Sequence, residues 1–187
     1  MKEKNLKKIF WSEASLGGLI LGLLLFGFLY LSYRWEWSIH HPTLASVTET
    51  LLIAVVSYIM ARRMGRLRGA EGFTYGQSMG FILAMMVFTG IIYGLGSYLK
   101  QVVIDPEYYR NLYEATLYNT LDETQAEQAL KMRQQMNRFI QNPGVMVLSG
   151  IFSMLIYGGI VGLIVSIFTK RQPENGQTQN DSTAQPE

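Results

Sequence analysis

Apolar residues along the chain gather into four runs, at about residues 14–33, 44–61, 78–98 and 145–168, separated by polar stretches of unequal length. Each run can cross roughly 30 Å of hydrocarbon at about 1.5 Å of rise per helical residue. In lipid the backbone must satisfy its own polar groups, so each run predicts a transmembrane α-helix. The expected fold class is all-α, an integral membrane bundle of four transmembrane helices with an extracytoplasmic helical hairpin between spans three and four.

That hairpin is read from about residues 105–141, the only sizeable polar region between spans. Pro106 suits the first turn of a helix in which Tyr109, Leu112, Tyr113 and Thr116 recur at helical spacing. Asp122 and Gln125 resemble a capping box opening a second helix, with Ala129, Met132, Met136, Phe139 and Ile140 on one face. Asn142, Pro143 and Gly144 end it. The tail, residues 172–187, is rich in Gln, Asn, Pro, Ser and Thr, and is expected to be disordered and cytoplasmic.

Composition agrees with the pattern: 49% of residues are hydrophobic and 16% charged, too apolar for a soluble surface. The absence of Cys excludes disulfides, thiolate metal sites and a cysteine nucleophile. Residues 1–13 form a basic head with Lys2, Lys4, Lys7 and Lys8, but the following apolar run is too long for a signal peptide and lacks a cleavage site, so it is read as an uncleaved span. Lys and Arg concentrate in that head, in the Arg62–Arg68 loop and at Lys170 and Arg171, whereas the first outer link has only Arg34. The positive-inside rule then places both termini in the cytoplasm and the hairpin outside.

Glycine carries the clearest pattern. Gly76, Gly80, Gly90, Gly94 and Ser97 fall on one helical face at 100° per residue, Gly18 and Gly22 have small-xxx-small spacing, and the last span holds Gly158, Gly159, Gly162 and Ser166. These predict close helix packing inside the chain or at a homo-oligomer seam. Ser46, Glu49, Thr50 and Ser57 form a polar stripe on span two. A carboxylate in hydrocarbon costs about 2.5–3.5 kcal/mol on insertion scales, so Glu49 is either a proton or cation site or an interfacial residue that reaches water, Arg34 or His40.

Arg62, Arg63, Arg66 and Arg68 are candidate contacts for anionic lipid, or topology markers alone. The nearby glycines form no phosphate-binding loop, and no basic domain stands behind the arginines to bind nucleic acid. His40 and His41 are adjacent and diverge, so they are read as interfacial, and no metal or other cofactor is expected. No hydrolase motif is present, which argues against an enzyme. Tyr108, Tyr109 and Tyr113, with Tyr118 behind them, are candidate partner contacts on the hairpin, or the residues that pack its two helices together.

Gly72-Phe73-Thr74-Tyr75-Gly76-Gln77-Ser78, entering span three, and Ile104-Asp105-Pro106-Glu107-Tyr108, after it, resemble DUF4199, a domain-of-unknown-function family of bacterial inner-membrane proteins found chiefly in Bacteroidota. The resemblance runs from about Ser12 to Lys170 and implies the same four-span layout. It brings no activity, cofactor or catalytic residue. The expected function is that of a non-enzymatic accessory or interaction protein in the lipid bilayer, whose hairpin meets a membrane or periplasmic protein partner. The alternative is a small oligomeric transporter or permeation protein using Glu49.

Overall fold

The computed structural model describes residues 2–35, 42–69 and 72–171, with side chains throughout these except at 2–4, 42, 108–109, 112, 137–138 and 140. Among the described residues six α-helices follow one another: α1 (Lys2–Arg34), α2 (Pro42–Arg68), α3 (Tyr75–Tyr98), α4 (Pro106–Thr120), α5 (Glu123–Ile140) and α6 (Pro143–Thr169). A six-residue π-helical segment, Leu99–Ile104, prolongs α3. Four of these elements are long and apolar enough to cross a membrane: Asn5–Arg34, Thr43–Arg68, Tyr75–Ile104 and Pro143–Thr169. The basic head expected ahead of the first span is continuous with it as α1. The link with His40 and His41, and the tail from residue 172, lie outside the described residues.

The helix ends follow local chemistry. Thr74 caps α3 in a reciprocal box: its hydroxyl accepts from the Gln77 amide at 3.3 Å, and the Gln77 side chain accepts from the Thr74 amide at 3.1 Å. Asn142 caps α6 by accepting from the Gly144 amide at 2.9 Å, with Pro143 in the first turn where its missing N–H costs nothing. The residues expected to end the hairpin therefore begin the last span.

The four long helices close a ring in the order α1, α3, α6, α2, with diagonal pairs touching least. The most extensive seam joins α3 to α6, which run antiparallel. Along it Ser78, Ile82, Met86, Gly90 and Gly94 of α3 meet Thr169, Gly162, Gly158, Gly150 and Val147 of α6. A Cβ built on Gly90 would lie 2.5 Å from the Ile151 Cα, and one on Gly150 would lie 2.6 Å from the Gly90 carbonyl oxygen. Gly94 is as tightly placed, 2.6 Å from the Val147 Cα. The backbones thus approach as closely as residues without side chains allow.

Elsewhere a methionine or isoleucine fills a glycine notch: Met86 at Gly158, Met79 at Gly162, Met85 at Gly17 and Ile92 at Gly22. Gly18 rests on the Met85 carbonyl and the Phe88 Cβ. Methionine suits such gaps because it is unbranched and adaptable, and Met60, Met64, Met85, Met86 and Met154 are all in the buried core with Leu21, Ile53, Phe73 and Phe81.

Gly76 and Gly80 behave differently from the expectation of a single glycine face. A Cβ on either meets open space. Packed helices touch along rows of every fourth residue, which are inclined to the helix axis. The row Ser78, Ile82, Met86, Gly90, Gly94 therefore wraps around α3, and by its start Gly76 and Gly80 have rotated off the seam.

Buried hydroxyls pin the seams. The Thr169 hydroxyl donates to the Val165 carbonyl at 3.0 Å, which leaves Ser78 to donate to Thr169 across the α3–α6 seam at 2.6 Å. Thr89 lies between the Met85 carbonyl of its own helix and the Gly18 carbonyl of α1, at 3.0 and 3.3 Å.

Candidate functional site

Among the described residues, unexplained polar chemistry gathers at the end of the bundle next to the helix pair α4 and α5. Glu49 of α2 is half-buried there, its carboxyl close to Tyr93 on α3 and within electrostatic reach of Lys100 on the π segment. Tyr157 of α6 stands near Tyr93. The Tyr33 hydroxyl, at the end of α1, donates to the Asp105 carboxylate at 2.7 Å, and the Lys100 ammonium sits 5.7 Å from the centre of the Tyr33 ring. All four spans thus contribute to one polar cluster.

The π segment places it. A π turn closes hydrogen bonds five residues apart, as from the Asp105 amide to the Lys100 carbonyl at 3.3 Å, and such turns recur at functional sites. Sequence reasoning singled out Glu49 but paired it with Arg34 or His40. Tyr93, Lys100 and Tyr33 were missed because each reads alone as an ordinary interfacial residue. The signal available was a lysine and an aspartate that bracket the end of span three. Of the rest of the stripe, Ser46 is exposed, Thr50 donates to the Ser46 carbonyl at 2.9 Å, and Ser57 is fully buried deeper in α2 with no hydrogen-bond partner.

The hairpin lies beyond this cluster. Arg133 of α5 stacks its guanidinium 3.7 Å from the centre of the Tyr113 ring on α4. Tyr113 itself stays partly exposed, and the side chains of Tyr108 and Tyr109 lie outside those described. Ala126 is the one buried residue among the described side chains of α5, whereas Met132, Met136 and Phe139 are 61, 51 and 63% exposed. The apolar face of α5 is therefore left open instead of packing on α4. Beneath it a groove of about 450 Å³ runs past Phe139 and Met146 to Gln101, Ser97 and Tyr93, joining the hairpin to the Glu49 cluster.

At the opposite end, the predicted lipid-contact arginines are partly engaged within the chain. Arg63 grips Glu13 of α1 with both ends of its fork, Nη2 and Nε each 3.0 Å from a carboxylate oxygen. Arg62 donates to the Tyr58 hydroxyl at 3.2 Å, and Arg68 lies 5.8 Å from the centre of the buried Phe73 ring. Arg66 is exposed. Phe73 also exchanges two backbone hydrogen bonds of 2.8 Å with Arg171, a clasp between the entry to α3 and the exit from α6. Gly72, at φ 74°, makes the turn into it in a conformation few other residues adopt.

Among the described residues no three His, Asp or Glu side chains come together as a metal-ligand set. Neither a curated protein nor a solved structure matches the chain. The family described as "Protein of unknown function (DUF4199)" matches residues 15–171, and with its four membrane-span-like helices the chain belongs to that family.

Proposed function

We propose that the protein is a non-enzymatic accessory or interaction protein of the bacterial inner membrane, with cytoplasmic termini and a periplasmic hairpin that docks the apolar surface of a second membrane protein. The observation that carries this reading is the open apolar row Met132, Met136 and Phe139 on α5. A hairpin serving only as a connection gains nothing from holding these side chains in water. Covering a fully exposed side chain of this kind is worth about 1.5–3 kcal/mol, and these three are half to two-thirds exposed, so the row supplies roughly a third to two-thirds of a micromolar contact. The row also continues into the groove that leads to α6, giving a partner helix a track from the hairpin down to the membrane. The test is a photocrosslinking amino acid at Met136 in intact membranes. A discrete protein adduct that disappears when Phe139 and Met132 are changed to Ser supports the proposal, and adducts to lipid alone refute it.

A second reading, a small oligomeric transporter, is favoured by the cluster of Glu49, Tyr93 and Lys100, because paired ionisable groups at membrane depth mark ion and proton pathways. Four spans leave little room for a pathway within one chain, so this reading requires an oligomer. Loss of solute or proton flux in vesicles with Glu49→Gln supports it, and unchanged flux removes its basis.

A further inference from the structure

We infer that the cavity between the π segment, α4 and α5 binds a small zwitterion, one with an oxyanion and an ammonium group. The cavity has a volume of about 320 Å³. That is the low end of the range for ligand sites, and it suits an amino acid or a phospholipid headgroup better than a larger molecule. Its walls carry charges of both signs: Arg110, Glu107 and Glu114 from α4, and Arg133 from α5.

The pairing of these groups is incomplete. Arg110 approaches Glu114 at 3.8 Å, the outer limit of an ion pair, whereas Arg133 and Glu107 make none among the described residues. Arg133 is held in place by its stack on Tyr113, and its Nη1 is buried with no hydrogen-bond acceptor. Nη1 is thus closed off from the cavity, and the part of Arg133 that lines it is the remainder of the side chain. Stacking fixes the guanidinium plane, so Arg133 does not collapse onto the carboxylates of α4 that line the same cavity.

A zwitterion completes this arrangement. Its oxyanion accepts charge-assisted hydrogen bonds from the Arg133 and Arg110 guanidinium groups, and its ammonium donates to Glu107 or Glu114. A purely anionic ligand would face two carboxylates, and a purely cationic one two guanidinium groups. Gln101 and Gln134, also on the wall, add neutral donors and acceptors. This chemistry is shared by two sources, a free amino-acid-like solute and the ethanolamine headgroup of a membrane lipid.

The experiment uses the full-length chain and has two arms. In the lipid arm, native mass spectrometry compares retention of phosphatidylethanolamine with phosphatidylglycerol. In the soluble arm, calorimetry in phosphatidylglycerol nanodiscs compares glycerophosphoethanolamine and L-alanine with glycerophosphoglycerol. Zwitterion preference of roughly tenfold or more in either arm, lost in Arg133→Gln and in Glu107→Gln and partly kept in Arg133→Lys, supports the site. Preference in the lipid arm identifies a lipid headgroup, and preference only for L-alanine identifies a free solute. Equal binding of the anionic analogues, or variants that bind like the wild type in both arms, overturns it. Glu107 is exposed and unpaired among the described residues, so Glu107→Gln keeps the test decisive if Arg133→Gln misfolds.

Discussion

Changing Gly90 to Ala separates two accounts of why this chain has glycines where it does. A Cβ at Gly90 would stand 2.5 Å from the Ile151 Cα and 2.9 Å from both the Gly150 carbonyl oxygen and the Ile151 nitrogen. All three are backbone atoms of α6, so no side chain can swing aside. Restoring an ordinary contact of 3.4 Å or more moves the helices apart by roughly 1 Å. Overpacking of this kind costs about 1–3 kcal/mol, and the rigid backbone on the far side places Gly90→Ala toward the upper end. That corresponds to a change of roughly 5- to 150-fold in the unfolding equilibrium. Gly80→Ala is the matched control. It belongs to the same predicted glycine stripe, on the flank about 80° around from Gly90 at 100° per residue, yet its Cβ would meet open space, and alanine is the better helix former by about 1 kcal/mol in water. It should be neutral or mildly stabilising. The assay is denaturation by sodium dodecyl sulfate in mixed micelles, followed by circular dichroism and by tryptophan fluorescence, which reports on Trp11 beside Phe88. If Gly80→Ala were as damaging as Gly90→Ala, the inclined seam would be wrong.

Other predictions rest on separate features. Ser78→Ala and Thr169→Ala should each cost about 1 kcal/mol in the same assay, with a double-mutant cycle returning a coupling near 0.6 kcal/mol; a coupling of zero would deny the bond across the seam. Tyr33→Phe removes a hydrogen bond to a carboxylate, worth about 1.5–3 kcal/mol, and should speed amide exchange in α4 near Asp105 while leaving the core of α3 protected. Glu13→Gln should lower stability by no more than about 1 kcal/mol at low salt, and less at high salt, because Arg63 is half exposed. Because the chain has no Cys, single cysteines can report sidedness: one at Thr120 should react with an impermeant thiol reagent in intact spheroplasts, and one at Arg66 only after permeabilisation.

Much of the architecture is legible because lipid imposes a simple rule. A run of apolar residues at membrane length has only the helix available, so the four spans follow from counting. Turn chemistry was legible too, although incompletely: Pro106 begins α4 as expected, but the Thr74-x-x-Gln77 box that opens α3 has a recognisable pattern that went unread beside the glycines. The losses came where geometry depends on a second helix. A wheel drawn at 100° per residue projects a straight stripe, and it placed Gly76 and Gly80 with Gly90 and Gly94. The contact follows an inclined row, so half of that stripe leaves the seam. Glu49 stood out by its cost in hydrocarbon, yet nothing in one helix identifies Tyr93 or Lys100 as its neighbours, which are about 44 and 51 residues away along the chain. The open row on α5 was equally hidden, since amphipathic spacing predicts a face and not whether that face is covered.

The clasp between Phe73 and Arg171 bears on how the protein is made. Chains enter the membrane from their N-terminal end, so α1, α2 and α3 are in place before α6 has been synthesised. Until then the glycine groove of α3 has only lipid to fill it, and the strand-like turn at Gly72–Thr74 has no partner for its backbone groups. Arg171 arrives immediately after the final helix, and its two hydrogen bonds to Phe73 can form only once α6 has slid into register along α3. The clasp therefore closes last and fixes the register of α6 along α3. A nascent protein truncated before residue 171 would have all four long apolar helices and still lack this fastener.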